Sequence, residues 1–222
     1  MLAGQHENGV DPTFIQWLSH EVKKAVDGGT EIVIMVGGGN FLRGAQIAGA
    51  GISRVNADFM GMLGTMMNTL AVTDIFNNEG VTTRALSNIE ASQVLDQFTH
   101  RRAISHIEKG RVVVVAGGIG RPYLTTDTAA VSLALELGCD VILKATKVDG
   151  IYDKDPVKFS DAVKLDAVSL HEAVKNEAIK VMDKAALGLA MEQNMPIVVF
   201  DLEKDDNILK AASGKAIGTK VS

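Results

Sequence analysis

The sequence is poor in cysteine, proline and aromatic residues, with one cysteine, four prolines and 5% aromatic residues in 222. A single cysteine, Cys139, cannot form an intramolecular disulfide, which fits a reducing compartment such as the cytoplasm. No apolar run approaches the roughly 20 residues that cross a bilayer. The N-terminus has neither the basic start nor the apolar region of a secretory signal. We therefore expect a soluble cytoplasmic protein that has no membrane partner.

The sequence also has no excess of basic residues, since 22 Lys and Arg stand against 27 Asp and Glu and give a formal net charge of −5. Proteins that coat nucleic acid normally carry a strong basic excess, so nucleic acid is not an expected partner. The five histidines are scattered and do not have the spacing of zinc ligands, so no resident metal site is predicted.

Continuous apolar runs alternate with helical patterns along the chain. The runs EIVIMV (31–36), RVVVVA (111–116) and DVILKA (140–145) are apolar throughout, which is typical of parallel strands covered on both faces. Further strands are predicted at 82–86, 196–200 and 219–221, and helices at 12–26, 55–78, 100–109, 126–137, 169–176, 182–193 and 207–212. The sequence predicts one α/β domain over residues 1–222, a three-layer sandwich with a mainly parallel central sheet.

Three polar or glycine-rich loops, at 37–44, 117–127 and 144–156, each follow a predicted core strand. Because the carboxyl ends of parallel strands meet at one edge of a sheet, we expect these loops to converge there. In the first loop, the glycines at 37–39 free backbone N–H groups to hold anionic oxygens, and Arg43 has the geometry to bind a phosphate. A tight turn followed by a solvated arginine is the alternative.

The loop GGIGRPYLTTD (117–127) has three glycines and then Thr125, Thr126 and Asp127 at the start of a predicted helix. Such a helix end attracts anions through its free N–H groups and its dipole. The carboxylate of Asp127 either caps the helix or orients cations around a transferring phosphoryl group. The chain contains no G-x-x-x-x-G-K-[ST] motif, so this would not be P-loop chemistry.

The third loop combines Lys144, Tyr152 and Asp155, which suit phosphate, base and ribose contacts, although an ordinary charged surface loop has the same composition. Asp58, early in the long predicted helix, taken alone is more typical of a solvated or salt-bridged carboxylate. Residue types alone therefore do not decide whether the third loop binds a nucleotide or whether Asp58 is functional.

Taken together and in this order, five stretches resemble the bacterial UMP kinase family of the amino-acid-kinase superfamily. They are VGGGNFLRG (36–44), ADFMGMLGTMMN (57–68), GGIGRPYLTTDTAA (117–130), LKATKVDGIYDKDP (143–156) and KVMDKAA (180–186). The resemblance implies phosphorylation of UMP by ATP, with Mg²⁺ accompanying ATP, in a homohexamer that GTP activates and UTP inhibits. Direct in-line transfer would suffice, because a UMP phosphate oxygen is already anionic and requires no general base.

The resemblance also implies roles for individual residues. The implied UMP contacts are Gly38, Asp58, Ile119, Gly120, Thr125 and Thr126. The implied ATP contacts are Gly39, Arg43, Thr146, Tyr152 and Asp155. Arg43, Asp127 and Asp183 are the implied catalytic residues, with Asp127 organising the basic groups.

The chain departs from the family pattern at three places. Family members begin with a strand ending in Lys-Leu-Ser-Gly-Glu, whereas this chain starts at Met1-Leu2-Ala3-Gly4, so we expect the domain to lack its first core strand and a phosphate lysine. Ile119 stands where many relatives have threonine, and Lys184 is unusual at its position; we hypothesise that Lys184 partly replaces the missing lysine. Two alternatives follow: a nucleotide-binding assembly protein without catalysis, or a family member that phosphorylates a carboxylate or carbamate.

Overall fold

The computed structural model describes residues 1–4, 6–42, 51–154, 156, 158–176, 179 and 181–222. The chain divides into two compact units, Met1–Thr126 and Asp127–Ser222, which we call the first unit and the second unit. Each unit contains a four-stranded sheet. A single domain over residues 1–222 stays a prediction.

The first unit is built on a parallel sheet. Its elements are α1 (Pro12–Asp27), β1 (Val33–Met35), α2 (Arg54–Asn78), β2 (Thr83–Ser87), β3 (Asp96–Gln97), α3 (His100–Ile107) and β4 (Val112–Ala116). The strand order is β1-β4-β2-β3, and every pairing is parallel. In this register Val114 of the central strand pairs with Ile34 on one side and Ala85 on the other.

Helices cover both faces of this sheet. All five residues of β4 are buried, and because successive side chains of a strand point to opposite faces, both faces must be covered. Helix α1 starts at residue 12, as predicted. The Asp11 carboxylate caps it by accepting the N–H groups of Thr13 and Phe14, and Pro12 occupies the first turn. Ser53 caps α2 in the same way, through the N–H of Asn56.

The second unit has a mixed sheet and an added ribbon. Its elements are α4 (Thr126–Leu137, beginning at the last residue of the first unit), β5 (Ile142–Thr146), β6 (Ile151–Tyr152), β7 (Lys164–Leu165), β8 (Ala167–Val168), α5 (Leu170–Lys175), α6 (Lys184–Glu192), β9 (Ile197–Asp201), α7 (Asn207–Ala212) and β10 (Thr219–Val221). The strand order is β5-β9-β10-β8, with only the β9–β10 pair antiparallel. Strands β6 and β7 form a separate antiparallel ribbon.

The predicted α/β class, with a parallel sheet flanked by helices, is confirmed. Helices α4 and α7 and strand β10 have the bounds that the sequence predicts, and the bounds of the other predicted elements differ from the observed ones by at most two residues. The short strands β3, β6, β7 and β8 were not predicted, because segments of two residues carry no periodicity. Over the described ranges, no helix combines the length and the hydropathy that a bilayer crossing requires.

Candidate active site

The carboxyl ends of β1, β2 and β4 bring two of the three predicted loops to one edge of the first sheet. Ser87 pairs with Ala116 at this edge, and Met35 pairs with Val115. The loop 37–44, which we call the first glycine loop, has glycines at 37–39. The loop 117–127, which we call the second glycine loop, has glycines at 117, 118 and 120. A Cβ atom on Gly37 would lie 3.9 Å from Oγ1 of Thr126, so the two loops approach each other as expected. The third loop follows β5 in the second unit.

Gly38 lies with its backbone directly against helix α2. A Cβ atom at this position would lie 2.3 Å from the carbonyl oxygen of Gly61 and 3.0 Å from the backbone nitrogen of Thr65, distances that a side chain cannot occupy. Gly64 is the reciprocal position, since its Cβ would lie 3.2 Å from the carbonyl oxygen of Gly38. In contrast, a Cβ on Gly39 meets nothing within 4 Å. Gly38 is therefore required for packing, and Gly39 has open space beside it.

The second glycine loop packs on the residues that follow β2. Gly117 has φ +80°, and a Cβ there would lie 2.9 Å from the backbone nitrogen of Ile89. Asn88 donates its side-chain amide to the carbonyl of Gly118 at 2.6 Å, and its own carbonyl lies 3.1 Å from where a Cβ on Gly120 would be. This packing fixes the backbone on both sides of Ile119, which is half-buried.

Asp58 is held in an ion pair, as residue types alone suggested. Nε of Arg54 lies 2.8 Å and 2.9 Å from its two carboxylate oxygens, and the backbone N–H of Tyr123 donates to Oδ2 at 2.9 Å. Arg54 also lies 5.5 Å from the centre of the Tyr123 ring. These bonds join α2 to the loop 117–127. Sequence reasoning missed Arg54, although its position four residues before Asp58 on a helix was the available signal.

In the second unit Asp127 forms a charged pair with Lys144. Asp127 lies in the first turn of α4, and Lys144 on β5 donates its ammonium group to Oδ1 of that carboxylate. Of the two threonines before it, Thr125 is exposed and Thr126 is half-buried. Lys144 was predicted only as part of the third loop, so the pairing with Asp127 is new.

Asp183 caps helix α6. Its Oδ1 accepts the backbone N–H groups of Ala185 and Ala186, each at 2.9 Å, and Thr128 donates its hydroxyl to the same carboxylate at 3.0–3.1 Å. Asp183 also lines a groove of about 500 Å³ together with Asp127, Lys184 and apolar side chains. The structure thus brings the two predicted catalytic aspartates and Lys184 to one groove.

Two predicted ATP-binding residues, Thr146 and Tyr152, lie in the described part of the third loop. Their side chains form hydrogen bonds within that loop or to β9. Thr146 donates its hydroxyl to the carbonyls of Val148 and Phe200, at 2.6 Å and 3.1 Å. The Tyr152 hydroxyl donates to Oδ1 of Asp149 at 2.6 Å. This hydrogen bond is the main cause that lowers the pKa of Asp149 and raises the pKa of Tyr152. The predicted residues Arg43 and Asp155 lie outside the described residues.

In the described ranges, no group of three or more His, Cys, Asp and Glu side chains is placed to hold a metal ion. Asp127 and Asp183 lie on one groove, but each carboxylate is already bonded to a cation, hydroxyl or helix N–H groups.

Comparison with known proteins agrees with the fold. The model of the amino acid kinase family matches residues 4–201. The solved structure of UMP kinase from Bacillus anthracis is 33% identical, with a TM-score of 0.94, over 100% of this chain and 91% of that one. UMP kinase from Ureaplasma parvum is 32% identical, with a TM-score of 0.89, over 96% and 90% of the two chains. Uridylate kinase from Archaeoglobus fulgidus is 26% identical, with a TM-score of 0.76, over 97% and 96%. The predicted resemblance is confirmed, and the chain belongs to the amino acid kinase family.

Proposed function

We propose that this chain transfers the γ-phosphoryl group of ATP to UMP, giving UDP and ADP, a step of pyrimidine nucleotide synthesis. The observation that carries the proposal is the likeness to two solved UMP kinases, at 33% and 32% identity over at least 96% of this chain. In this reaction a UMP phosphate oxygen forms a bond to the γ-phosphorus while the bond from that phosphorus to the bridging oxygen of ADP breaks. Catalysis of this kind depends on positioning and on charge neutralisation.

The first unit supplies the proposed UMP contacts. The backbone at Gly38 would face phosphate oxygens of UMP, whereas Gly39, which has open space beside it, would face phosphate oxygens of ATP. Asp58 would accept ribose hydroxyls: an ionised carboxylate has about four acceptor positions, of which Arg54 and the Tyr123 N–H use only some. Uracil would lie along the loop that contains Ile119, Gly120, Thr125 and Thr126.

The second unit supplies the proposed charge stabilisation. Lys144, held by Asp127 in the first turn of α4, presents an ammonium group that can neutralise charge developing on a transferring phosphoryl group. The proposed ATP contacts of this unit are Thr146, Tyr152 and Asp155, and Arg43 of the first unit is a further proposed ATP contact. Asp183 would fix the start of α6, which borders the groove, by capping that helix. Mg²⁺ would enter on ATP as part of the substrate, because this ion keeps water ligands and binds mainly to substrate phosphates in kinases.

An acceptor assay tests the proposal. ADP release is measured with MgATP and, separately, UMP, CMP and small carboxylate or carbamate acceptors. Asp58→Asn should raise KM for UMP by about tenfold, the usual scale for loss of one charge-assisted contact. Asp74→Asn is the matched control, because Asp74 is an exposed carboxylate on the same helix.

Each other outcome points to a named alternative. Turnover of a carboxylate or carbamate without turnover of UMP would replace UMP kinase by another reaction of the family. Thermal stabilisation by UMP with ADP release at background would favour the nucleotide-binding assembly protein, since any ligand that prefers the folded state raises Tm.

A homohexamer is the assembly we propose with this function. Helix α2 has no charged residue between Phe59 and Thr73 and exposes a stripe of apolar side chains. The stripe comprises Val55, Phe59, Met60, Leu63, Met67 and Leu70, each 37–52% exposed. A second copy of the chain would cover it, as exposed apolar patches commonly mark interfaces. Leu63→Lys should lower the sedimenting mass, whereas Val94→Lys, at another exposed apolar residue, should not.

The remaining proposals rest on the resemblance to bacterial UMP kinases. We expect activation by GTP and inhibition by UTP, which the same ADP-release assay measures at fixed UMP and ATP. A cytoplasmic location is supported by the single cysteine.

A further inference from the structure

Helix α2 carries two buried polar side chains on the face that also holds Asp58. Thr65 is 3% exposed and Asn68 is 0% exposed. Asp58, Gly61, Thr65 and Asn68 are spaced by three, four and three residues, so they lie on one face of the helix. Buried polar groups are costly unless they are hydrogen-bonded, so the partners of these two side chains indicate their task.

Thr65 bonds the second glycine loop. Its hydroxyl donates to the carbonyl of Met62 at 2.6 Å, which leaves the oxygen lone pairs directed away from the helix. The backbone N–H of Gly117 donates to that oxygen at 2.7 Å. Gly117 is buried and follows β4 directly, so this bond sets where the loop 117–127 leaves the sheet.

Asn68 bonds the first glycine loop. Its amide nitrogen donates to the carbonyl of Gly37 at 2.7 Å and to the side-chain oxygen of Asn40 at 2.6 Å. Asn40 returns a bond to the side-chain oxygen of Asn68 at 2.8 Å and donates to the carbonyl of Gly9 at 2.6 Å. The two amides thus hold both ends of the segment 37–40, while Gly38 packs against α2 between them.

We propose that Thr65 and Asn68 are positioning residues that hold both glycine loops on helix α2, in a fixed relation to Asp58. Neither side chain needs to touch substrate. The consequence for nucleotide binding rests on the proposed function. The loop 117–127 and Asp58 are proposed UMP contacts, so loosening that loop should weaken UMP binding and leave ATP binding unchanged. The loop 37–44 carries Gly38, a proposed UMP contact, and Gly39 and Arg43, proposed ATP contacts, so loosening it should weaken the binding of both nucleotides.

The same helix offers a matched control. Thr69 is 0% exposed and lies on the buried side of α2 one turn after Thr65, but within the described residues its hydroxyl has no hydrogen-bond partner. Thr65→Val and Thr69→Val therefore make the same isosteric change in the same helix, and only the first removes a bond to a loop. Thr65→Ser keeps the hydroxyl and serves as the conservative rescue.

The first measurement is steady-state kinetics of these variants with UMP and MgATP. Thr65→Val should raise KM for UMP by about tenfold, because a buried N–H of Gly117 loses its acceptor. KM for ATP should change less than about twofold, Thr65→Ser should restore most of the loss, and Thr69→Val should match wild type. Asn68→Ala, which loosens the loop 37–44, should raise KM for both UMP and ATP. A fall in Tm with unchanged KM for UMP, or an equal effect of Thr69→Val, would overturn the proposal.

The second measurement separates this proposal from the proposed function. Amide hydrogen exchange of the peptides covering 36–42 and 112–121 reports loop anchoring without any substrate. Thr65→Val should accelerate exchange at 112–121 by about tenfold relative to Thr69→Val, and Asn68→Ala should do so at 36–42. If the wild type does not phosphorylate UMP, the proposed function is wrong. The exchange rates still test the anchoring of the loops, because their measurement needs no substrate. Unchanged exchange in both variants would disprove the anchoring.

Discussion

The glycine loops of the first unit and the charged or polar pairs of the second unit are held by different means. In the first unit, backbone packs on backbone: Gly38 lies against Gly61 and Gly64 of α2, and neutral side chains bond the loop carbonyls and N–H groups. In the second unit, side chains bond side chains, as in the pairs of Asp127 with Lys144 and Tyr152 with Asp149. The first arrangement fixes the path of the chain, and the second fixes individual charges.

This difference predicts two kinds of response to mutation. A close backbone contact leaves no room for an added atom, because protein interiors are close-packed, so changes at the glycine loops should act sterically on folding and activity together. A pair of charged or polar side chains that is partly solvated should respond in a graded way, mainly in kinetics and in pH dependence.

The largest expected effect is that of Gly38→Ala. The new Cβ would lie 2.3 Å from the carbonyl oxygen of Gly61, so either the loop or the helix must move. We expect destabilisation of about 3 kcal/mol, which lowers Tm by roughly 6–12 °C in a chain of this size. Activity with UMP should fall more than about a hundredfold, since a displacement of about 1 Å at a site has that cost.

Gly39→Ala is the matched control for this effect on stability. A Cβ on Gly39 meets nothing within 4 Å, so Tm should change by at most about 2 °C in thermal unfolding followed by circular dichroism. Equal destabilisation by both substitutions would show that backbone contact with α2 is not what distinguishes Gly38.

The next effect concerns charge in the second unit. Lys144→Met keeps most of the side-chain length but removes the cation beside Asp127. We expect kcat to fall by about a hundredfold with little change in KM for UMP, because a charge that acts on the transition state is lost. Lys204→Met, which removes a surface ion pair with Asp201 at 3.7 Å, should leave kcat unchanged. A KM effect without a kcat effect would assign Lys144 to ground-state binding.

The sites of Gly38→Ala and Lys144→Met also show which parts of the site the sequence alone can predict. Local patterns could be predicted from the sequence: the glycine clusters, the order of strands and loops, and the aspartates at helix starts. The contact of Gly38 with α2 was not, since it joins positions 38 and 61–65, and sequence spacing does not encode which surfaces meet. The pairing of Lys144 with Asp127 depends in the same way on the placement of β5 beside α4.

The same limit explains Thr65 and Asn68. Both lie inside the stretch 57–68, but residue type does not separate Thr65 from Thr69, which is also buried and has no hydrogen-bond partner in the described chain. Nothing in the sequence shows that the Asn68 amide contacts the loop 37–44. The Asp183 carboxylate was predicted to be catalytic, and the structure shows it capping α6 and accepting from Thr128. Its catalytic role stays a prediction.

A smaller effect is expected at Arg54 in the first unit. Arg54→Met removes the guanidinium that bonds both oxygens of Asp58 and lies over the Tyr123 ring. The side chain of Arg54 is 46% exposed, so solvent replaces much of its role. We expect KM for UMP to rise by about threefold to fivefold with unchanged kcat, which corresponds to roughly 1 kcal/mol. Lys23→Met, which removes another exposed i,i+4 ion pair, is the control and should leave KM unchanged.

The smallest expected effect is a shift in pH dependence at Tyr152→Phe. The Tyr152 hydroxyl is the main cause of the lowered pKa of Asp149, and Lys164, 3.8 Å from the same carboxylate, contributes further. A carboxyl whose folded pKa is lowered stabilises the fold above its unfolded pKa, and this contribution is lost as pH falls through the folded pKa. Tyr152→Phe should therefore raise the pKa of Asp149 towards its ordinary value, which carboxyl ¹³C titration measures directly. Tyr123→Phe should leave it unchanged, and KM for ATP should change little because the ring is kept. If instead the pKa of Asp149 is unmoved by Tyr152→Phe, the charge of Lys164 carries the shift.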